Sequence, residues 1–217
     1  MKMDKQEIRR YLGIKSGEIG VDDSLLEELW SLLTIKINPR IISGEYEIER
    51  IDNGYRLSGT RVIFKGKLID KVLKDCESIV LFAVTLTAEA DSLLREYSIK
   101  SMTKAVTLNA CMTAYLENFA DDFEAQQKEN AESEGKGITR RISCGYGDFD
   151  IAKQNDIIEL LRADKYLGIT VNENNMLVPV KSITALIGIG EKLYKKEEKC
   201  AHCSGCSNQC AFKKEEK

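Results

Sequence analysis

The sequence has 217 residues, of which 43% are hydrophobic and 31% are charged, and its formal net charge is −3. This composition is typical of a folded domain and excludes wholesale disorder. With 32 basic and 35 acidic residues, the chain lacks the basic surplus of a general nucleic-acid binder. No uncharged stretch approaches the ~20 apolar residues of a membrane span, and the N-terminus lacks the apolar segment of a signal peptide. We therefore expect a cytoplasmic protein without a membrane partner.

The first 134 residues predict helices and strands in irregular alternation. Helices are predicted where capping side chains precede apolar residues at helical spacing, and an Asn-Gly pair at 53–54 predicts a hairpin turn. The continuous apolar run 78–86 is typical of a strand buried on both faces. Helices are expected at 4–12, from 22 to before Pro39, and at 66–74, 88–97 and 103–132, and strands at 46–51, at 55–57 or 60–64, and at 78–86.

The second part of the chain adds short strands and one further helix. The pattern predicts a helix at 152–163 with Asp150 as its N-cap, and strands at 138–144, 168–171, 176–180 and 182–189. Because no regular strand–helix repeat occurs, the fold class is α+β with a mostly antiparallel twisted sheet and flanking helices. We expect a globular domain over 1–190, helical over 1–40, and a charged linker with a cysteine-rich tail over 191–217.

Residues 139–150 (TRRISCGYGDFD) combine features of a binding site. Gly145 and Gly147 permit close approach of a ligand to the backbone, Arg141 is suited to bidentate binding of a carboxylate, and Tyr146 offers a ring for stacking. These residues predict a pocket for a small anionic or zwitterionic ligand. The alternative from the residues alone is a hairpin corner with solvated arginines.

Residues 141–146 (RISCGY) resemble the Arg-x-x-x-Gly-Tyr motif of the S-adenosylmethionine-binding activation domain of cobalamin-dependent methionine synthase. A helix with a leucine pair, a Gly-Ile-Thr-Val run leading to Pro179, and a Ser-Ile-Thr strand follow in the family's order. The bacterial synthases continue Gly-Tyr with Pro-Ala-Cys-Pro, where this chain has residues 147–150 (GDFD). The resemblance covers residues 138–190 well and 76–134 more weakly.

The resemblance implies a fold, a ligand and a partner. It implies that Arg141 binds the methionine carboxylate of S-adenosylmethionine, that the backbone near Ser143 and Gly145 holds the adenosine, that Tyr146 lines the site, and that Glu117 binds the ammonium group. It implies no catalytic side chain, since the cobalamin is carried by the partner. The chain resembles a stand-alone activation subunit for a methionine synthase or related corrinoid methyltransferase, with a flavodoxin- or ferredoxin-like electron donor.

The C-terminal tail contains four cysteines within eleven residues. Cys200, Cys203, Cys206 and Cys210 have the spacing of a bacterial iron–sulfur run, which predicts a metal site. Zinc is the rival, held by four thiolates or by three with His202, the single histidine. The tail lies outside the resemblance. A second function therefore stays open: an iron–sulfur or zinc module for electron transfer or interaction that keeps the fold but no longer binds S-adenosylmethionine.

The other three cysteines predict packing rather than chemistry. Cys76 and Cys111 have the surroundings of small buried hydrophobic residues. Cys144 precedes the Gly-Tyr pair, and a small side chain packed beneath the turn is favoured over a reactive thiol.

Overall fold

The computed structural model describes residues 2–14, 20–191 and 193, and within these it contains seven helices and eight strands. The predicted α+β class is confirmed. No helix in the described ranges is long and apolar enough to cross a bilayer. The elements are α1 (Lys5–Tyr11), α2 (Asp23–Lys36), β1 (Arg40–Ile51), β2 (Gly54–Leu57), β3 (Ile63–Phe64), α3 (Lys67–Leu73), β4 (Ser78–Thr85), α4 (Thr87–Lys100), α5 (Met102–Ser133), β5 (Gly137–Ile138), α6 (Lys153–Leu161), α7 (Ala163–Leu167), β6 (Thr170–Val171), β7 (Leu177–Val178) and β8 (Ser182–Gly190).

The main sheet has six strands in the order β3-β2-β1-β4-β8-β5, and each neighbouring pair is antiparallel. The predicted turn joins β1 to β2, with Ile51 opposite Gly54. Gly54 has φ +138°, and a Cβ there would lie 2.2 Å from the carbonyl oxygen of Phe64. Only glycine fits this position, so the turn fixes the register of the hairpin. Strands β6 and β7 form a separate pair.

Strand β4 lies at the centre of the molecule, and all eight of its residues are buried, as the apolar run predicts. Its side chains alternate between two hydrophobic cores, because successive residues of a strand point to opposite faces. One core also contains residues of α1, α2, α4 and α5, and the other contains residues of β2, α3, α6 and α7. The first core, which contains the residues of α1, α2, α4 and α5, includes Val80, Phe82 and Val84 of β4. The second core, which contains the residues of β2, α3, α6 and α7, includes Ile79, Leu81 and Ala83.

Helix α5 runs for 32 residues along the first core. It begins where the Ser101 side chain accepts a hydrogen bond from the backbone N–H of Lys104. Its apolar stripe packs on the sheet and on α2, where Tyr115 meets Trp30 edge-to-face with ring centroids 5.4 Å apart. The burial of this stripe fixes the rotation of α5 and therefore the direction in which its acidic side chains point.

The predicted strand at 138–144 is wrong for most of its length. Only Gly137–Ile138 forms a strand, and Ile142 adds a single bridge to Leu186 of β8. Between them, the hydroxyl of Thr139 accepts the hydrogen bond from the Gly188 N–H, so a side chain replaces the backbone partner. The segment follows the edge of the sheet without pairing fully with β8.

Other predicted boundaries also differ from those observed, among them the starts of β1 and α6. Strand β1 begins at Arg40 rather than at residue 46, because residues 40–47 pair with residues 78–85 of β4, a long-range contact that the local pattern does not contain. Helix α6 begins at Lys153, and Asp150 accepts a hydrogen bond from the backbone N–H of Ala152 without being its N-cap. Arg162, in the left-handed conformation with φ 52°, ends α6 and separates it from α7.

Candidate functional site

Arg141 lies among three carboxylates of helix α5. Its Nη2 donates to Glu117 Oε2 at 2.7 Å, and its Nη1 lies 2.5 Å from Asp121 Oδ1 and 2.6 Å from Glu124 Oε2. The backbone N–H of Arg141 also donates to Glu124, at 3.1 Å. The structure therefore brings together two of the predicted site residues, Arg141 and Glu117, and adds two acidic residues to them. We call these four residues the arginine cluster.

The spacing of the acidic residues explains how one arginine contacts all three. Positions 117, 121 and 124 are separated by four and three residues, so they occupy one face of the helix. That face lies next to the buried stripe of α5 and faces the segment that follows β5 in the chain. The bridge between Ile142 and Leu186 holds this chain against β8, which places Arg141 beside α5.

The cluster carries one positive and up to three negative charges. Burial by itself would lower the pKa of Arg141, but the charges of Asp121, Glu117 and Glu124 outweigh this effect and raise it. The arginine is therefore permanently charged, and the cluster has a net negative charge at neutral pH. Burial, followed by the charges of Glu117 and Glu7, also raises the pKa of Tyr11, which lies on α1 beside this region.

The four side chains differ in their exposure to solvent. Arg141 is 18% exposed and Glu124 is 21% exposed, whereas Glu117 is 36% and Asp121 is 62% exposed. Solvent thus reaches the cluster from the side of Asp121 and Glu117. A small molecule that approaches from this side meets an arginine and carboxylates together.

The Gly-Tyr segment forms a closed turn directly after the arginine cluster. The Gly145 N–H donates to the Phe149 carbonyl at 2.8 Å, and the Phe149 N–H donates to the Tyr146 carbonyl at 2.9 Å. Gly145 and Gly147 have φ of +89° and +56°, as glycines in turns permit. The carbonyl of Ser143 accepts from the Tyr146 N–H at 3.3 Å. The predicted residues Ser143, Gly145 and Tyr146 are therefore held in one compact turn.

Tyr146 lies at the surface of this turn, and its side chain is 55% exposed. Phe149, by contrast, is buried and meets Phe64 edge-to-face at 5.4 Å between ring centroids. The turn is thus anchored by Phe149 and presents Tyr146 outward. An exposed ring above a rigid backbone is suited to stacking on a flat ligand.

Asp148 connects the turn to helix α3. Its carboxylate accepts hydrogen bonds from the backbone N–H groups of Lys67 at 2.6 Å and Leu68 at 3.0 Å. The hydrogen bonds from Leu68 and Lys67 lower the pKa of Asp148. Asp148 therefore serves as an N-terminal cap for a helix that begins 81 positions earlier in the sequence.

The three cysteines of the described chain are packed as predicted for small side chains. Cys111 and Cys144 are buried, and Cys76 is partly buried. Burial raises the pKa of each thiol to about 12, so the thiolate is scarce at neutral pH. Cys144 is not activated for chemistry beside the turn.

The predicted metal ligands Cys200, Cys203, Cys206 and Cys210, together with His202, lie outside the described residues. Within the described ranges, no group of three or more histidine, cysteine, aspartate or glutamate side chains is arranged to hold a metal ion. The arginine cluster does not meet that condition, because a guanidinium occupies its centre.

Sequence reasoning missed Asp121 and Glu124. The signal was present, since both share a helix face with Glu117, but their partner Arg141 lies 20 and 17 positions further along the chain. The packing of α5 on the sheet, and not the local sequence, brings them to Arg141.

Comparison with known proteins shows a likeness in fold to a solved structure. No family model matches this sequence, and no curated protein matches it. Among solved structures, the chain is similar to the crystal structure of the MetH reactivation domain bound to AdoHcy, with 17% sequence identity and a TM-score of 0.62. The likeness covers 89% of this chain and 78% of the other. The predicted activation-domain fold is thus confirmed.

Proposed function

We propose that this chain is a stand-alone activation subunit that supports the reductive remethylation of a cobalamin-dependent methionine synthase or a related corrinoid protein. In this role S-adenosylmethionine supplies the methyl group, the partner carries the cobalamin, and a flavodoxin- or ferredoxin-like protein supplies the electron. The chain contributes the binding and orientation of the methyl donor. It acts as an accessory subunit of a methyltransferase system.

The arginine cluster is the observation that carries the proposal. The α-amino acid end of S-adenosylmethionine has a carboxylate beside an ammonium group, and the nearby sulfonium adds a second positive charge. The cluster offers a guanidinium for the carboxylate and carboxylates for the positive groups, with its most exposed members at the surface. The shared fold with a domain whose structure contains AdoHcy supports the same ligand class.

The Gly-Tyr turn supports the proposal from the nucleoside side. Its backbone is fixed by internal hydrogen bonds and by the burial of Phe149, so a ligand meets a surface that does not need to be ordered on binding. The ring of Tyr146 lies at the surface of this turn, and we infer that a purine stacks on it. Ser143 and Gly145 supply backbone groups in the same turn.

The ion pairs that Arg141 already makes favour a second candidate function, that of an interaction or electron-transfer module. Three carboxylates already satisfy this arginine without a ligand, as in a purely structural ion-pair network. In that case the chain keeps the activation fold as an interaction or electron-transfer module, with iron–sulfur or zinc in the tail, and does not bind S-adenosylmethionine.

Calorimetric titration with S-adenosylmethionine and with AdoHcy separates the two functions. We expect saturable binding to the wild type and a loss of affinity of roughly tenfold or more in Arg141→Lys, because lysine keeps the charge but lacks the planar fork that holds a carboxylate. The matched control is Arg140→Lys, which changes the neighbouring, exposed arginine in the same way and is expected to bind like the wild type.

The absence of binding heat for both ligands under reducing conditions, with all proteins folded, would favour the interaction module. Equal affinities of Arg141→Lys and the wild type would remove Arg141 from the site while leaving ligand binding intact.

A further inference from the structure

We propose that Asp121 occupies the carboxylate position of the ligand on Arg141 and must leave when the ligand binds. This inference rests on the proposed function, since it concerns the same site. It makes Asp121 an internal competitor that sets the affinity for the amino acid end of the ligand.

The contacts within the cluster identify Asp121 as the member that leaves. Glu124 is held twice, by Nη1 and by the backbone N–H of Arg141, and it is largely buried. Glu117 contacts the other nitrogen, Nη2. Asp121 shares Nη1 with Glu124, so the two negative groups lie close together and repel each other.

Exposure supports the same conclusion. The Asp121 side chain is 62% exposed, so it returns to water at little cost when its ion pair breaks. The free-energy cost is far higher for Glu124, because its departure would break two hydrogen bonds to Arg141 in a largely buried position. A ligand carboxylate that replaces Asp121 keeps Arg141 fully paired throughout.

The exchange also explains how the cluster selects its ligand. A ligand without a carboxylate gains nothing from Arg141, because Asp121 already fills that place. A ligand with a carboxylate has to outcompete Asp121, which is held beside Arg141 by the fold of the same chain and is therefore present at high effective concentration. The free protein thus holds its arginine in a paired state, at the expense of some affinity.

The test uses Asp121→Asn in the full chain, with AdoHcy and 5′-methylthioadenosine as probes. The second probe contains the nucleoside and the thioether but has no carboxylate. We expect Asp121→Asn to bind AdoHcy about three- to tenfold more tightly than the wild type, with no change for methylthioadenosine. Arg141 stays paired with Glu117 and Glu124, so the variant is expected to fold, which its thermal midpoint checks.

Asp122→Asn is the matched control. It removes the same charge from the neighbouring, exposed position of α5 and is expected to leave both affinities unchanged. Because general electrostatics acts similarly on both variants, a difference between them isolates the contact with Arg141.

The outcomes separate this inference from the function on which it rests. If the wild type binds AdoHcy and Asp121→Asn binds it equally or more weakly, the competition is disproved and the proposed function stands. A gain of the same size for both probes would also disprove it, because the carboxylate would not be the group involved. If neither the wild type nor Asp121→Asn binds AdoHcy, the proposed function and this inference both fail.

Discussion

Burial divides the residues around the turn into those that hold it and those that face a ligand. Phe149 and Cys144 are buried and pack in the second core, whereas Tyr146 is more than half exposed. A side chain that stays exposed contributes little to the free energy of folding. The two kinds of residue are therefore separable by mutation.

At the residue scale, we expect Tyr146→Ala to weaken the binding of S-adenosylmethionine about tenfold, because the variant loses a stacking surface. The thermal midpoint should change by less than about 2 °C, since the ring is not part of either core. Titration calorimetry and thermal unfolding measure the two effects in the same samples.

Tyr166→Ala controls for the loss of an exposed ring. Tyr166 lies on α7 and is 49% exposed, close to the value for Tyr146. Its replacement should leave ligand affinity unchanged. A fall of many degrees in the midpoint of Tyr146→Ala, with affinity intact, would identify Tyr146 as a structural residue instead.

At the element scale, the turn depends on helix α3 through Asp148. The carboxylate accepts from the first two N–H groups of the helix, and the N-terminal end of the helix dipole favours its negative charge. Gly66, with φ +125°, provides the space, because a Cβ there would lie 3.0 Å from both the carbonyl and the carboxylate of Asp148. Asp148 thus holds the Gly-Tyr turn against the start of α3.

The lowered pKa of Asp148 predicts a pH dependence. The folded protein binds the proton less readily than the unfolded chain, so the stabilisation is complete above the unfolded pKa and is lost as the pH falls through the folded value. We expect Asp148→Asn to lower the thermal midpoint by a few degrees at pH 7. This difference should begin to shrink below about pH 4, the ordinary value for an aspartate, and should vanish only at still lower pH, where the wild-type carboxylate is protonated in the folded state as well.

Thermal unfolding of the wild type and Asp148→Asn across this pH range measures the effect. Asp122→Asn, an exposed mid-helix aspartate, should track the wild type throughout. If the thermal midpoint of Asp148→Asn is lower than that of the wild type by the same amount at acidic and neutral pH, the charge of Asp148 does not stabilise the cap.

The elements that the sequence predicts well are those whose signal is local. The apolar run of β4 and the long stripe of α5 contain their own periodicity, and both are observed. The strand predicted at 138–144 is largely absent because its partners are long-range, with Thr139 bonded to β8 and Arg141 bonded to α5. The periodicity of a short stretch of sequence contains no information on the free energy of such long-range contacts.

The residues of the candidate site divide in the same way, into those that a local motif predicts and those that depend on long-range packing. The Arg-x-x-x-Gly-Tyr resemblance points to Arg141, and Glu117, predicted to bind the ammonium group of the ligand, forms an ion pair with it in the folded chain. The role of both residues toward a ligand stays a prediction. The positions of Asp121 and Glu124 depend on the rotation of α5 relative to the sheet, which its packing in the first core sets. The geometry of a binding site assembled across two elements is therefore a property of the folded chain.

At the scale of the whole molecule, the end of β8 lies beside the segment that carries Arg141. Gly190 pairs with Gly137, four positions before Arg141, and Leu186 is bridged to Ile142. A chain spans at most ~3.3–3.6 Å per residue, so the stretch from Gly190 to Cys200 reaches up to about 35 Å from the end of the sheet. The cysteines are therefore within reach of the face that carries the arginine cluster.

We expect Cys200, Cys203, Cys206 and Cys210 to hold a redox-active iron–sulfur cluster. Four thiols at this spacing oxidise readily if left free, and metal ligation orders a segment that has few apolar residues of its own. Protein purified without oxygen should be brown, with broad visible absorption that bleaches when dithionite is added. The colour should be absent from the double variant Cys203→Ser, Cys206→Ser, and it should persist in Cys76→Ser, whose sulfur lies in the folded domain. A colourless protein with one zinc per chain would exclude the redox role without affecting the ligand site, and metal-free protein that still supports corrinoid reactivation would exclude both metals.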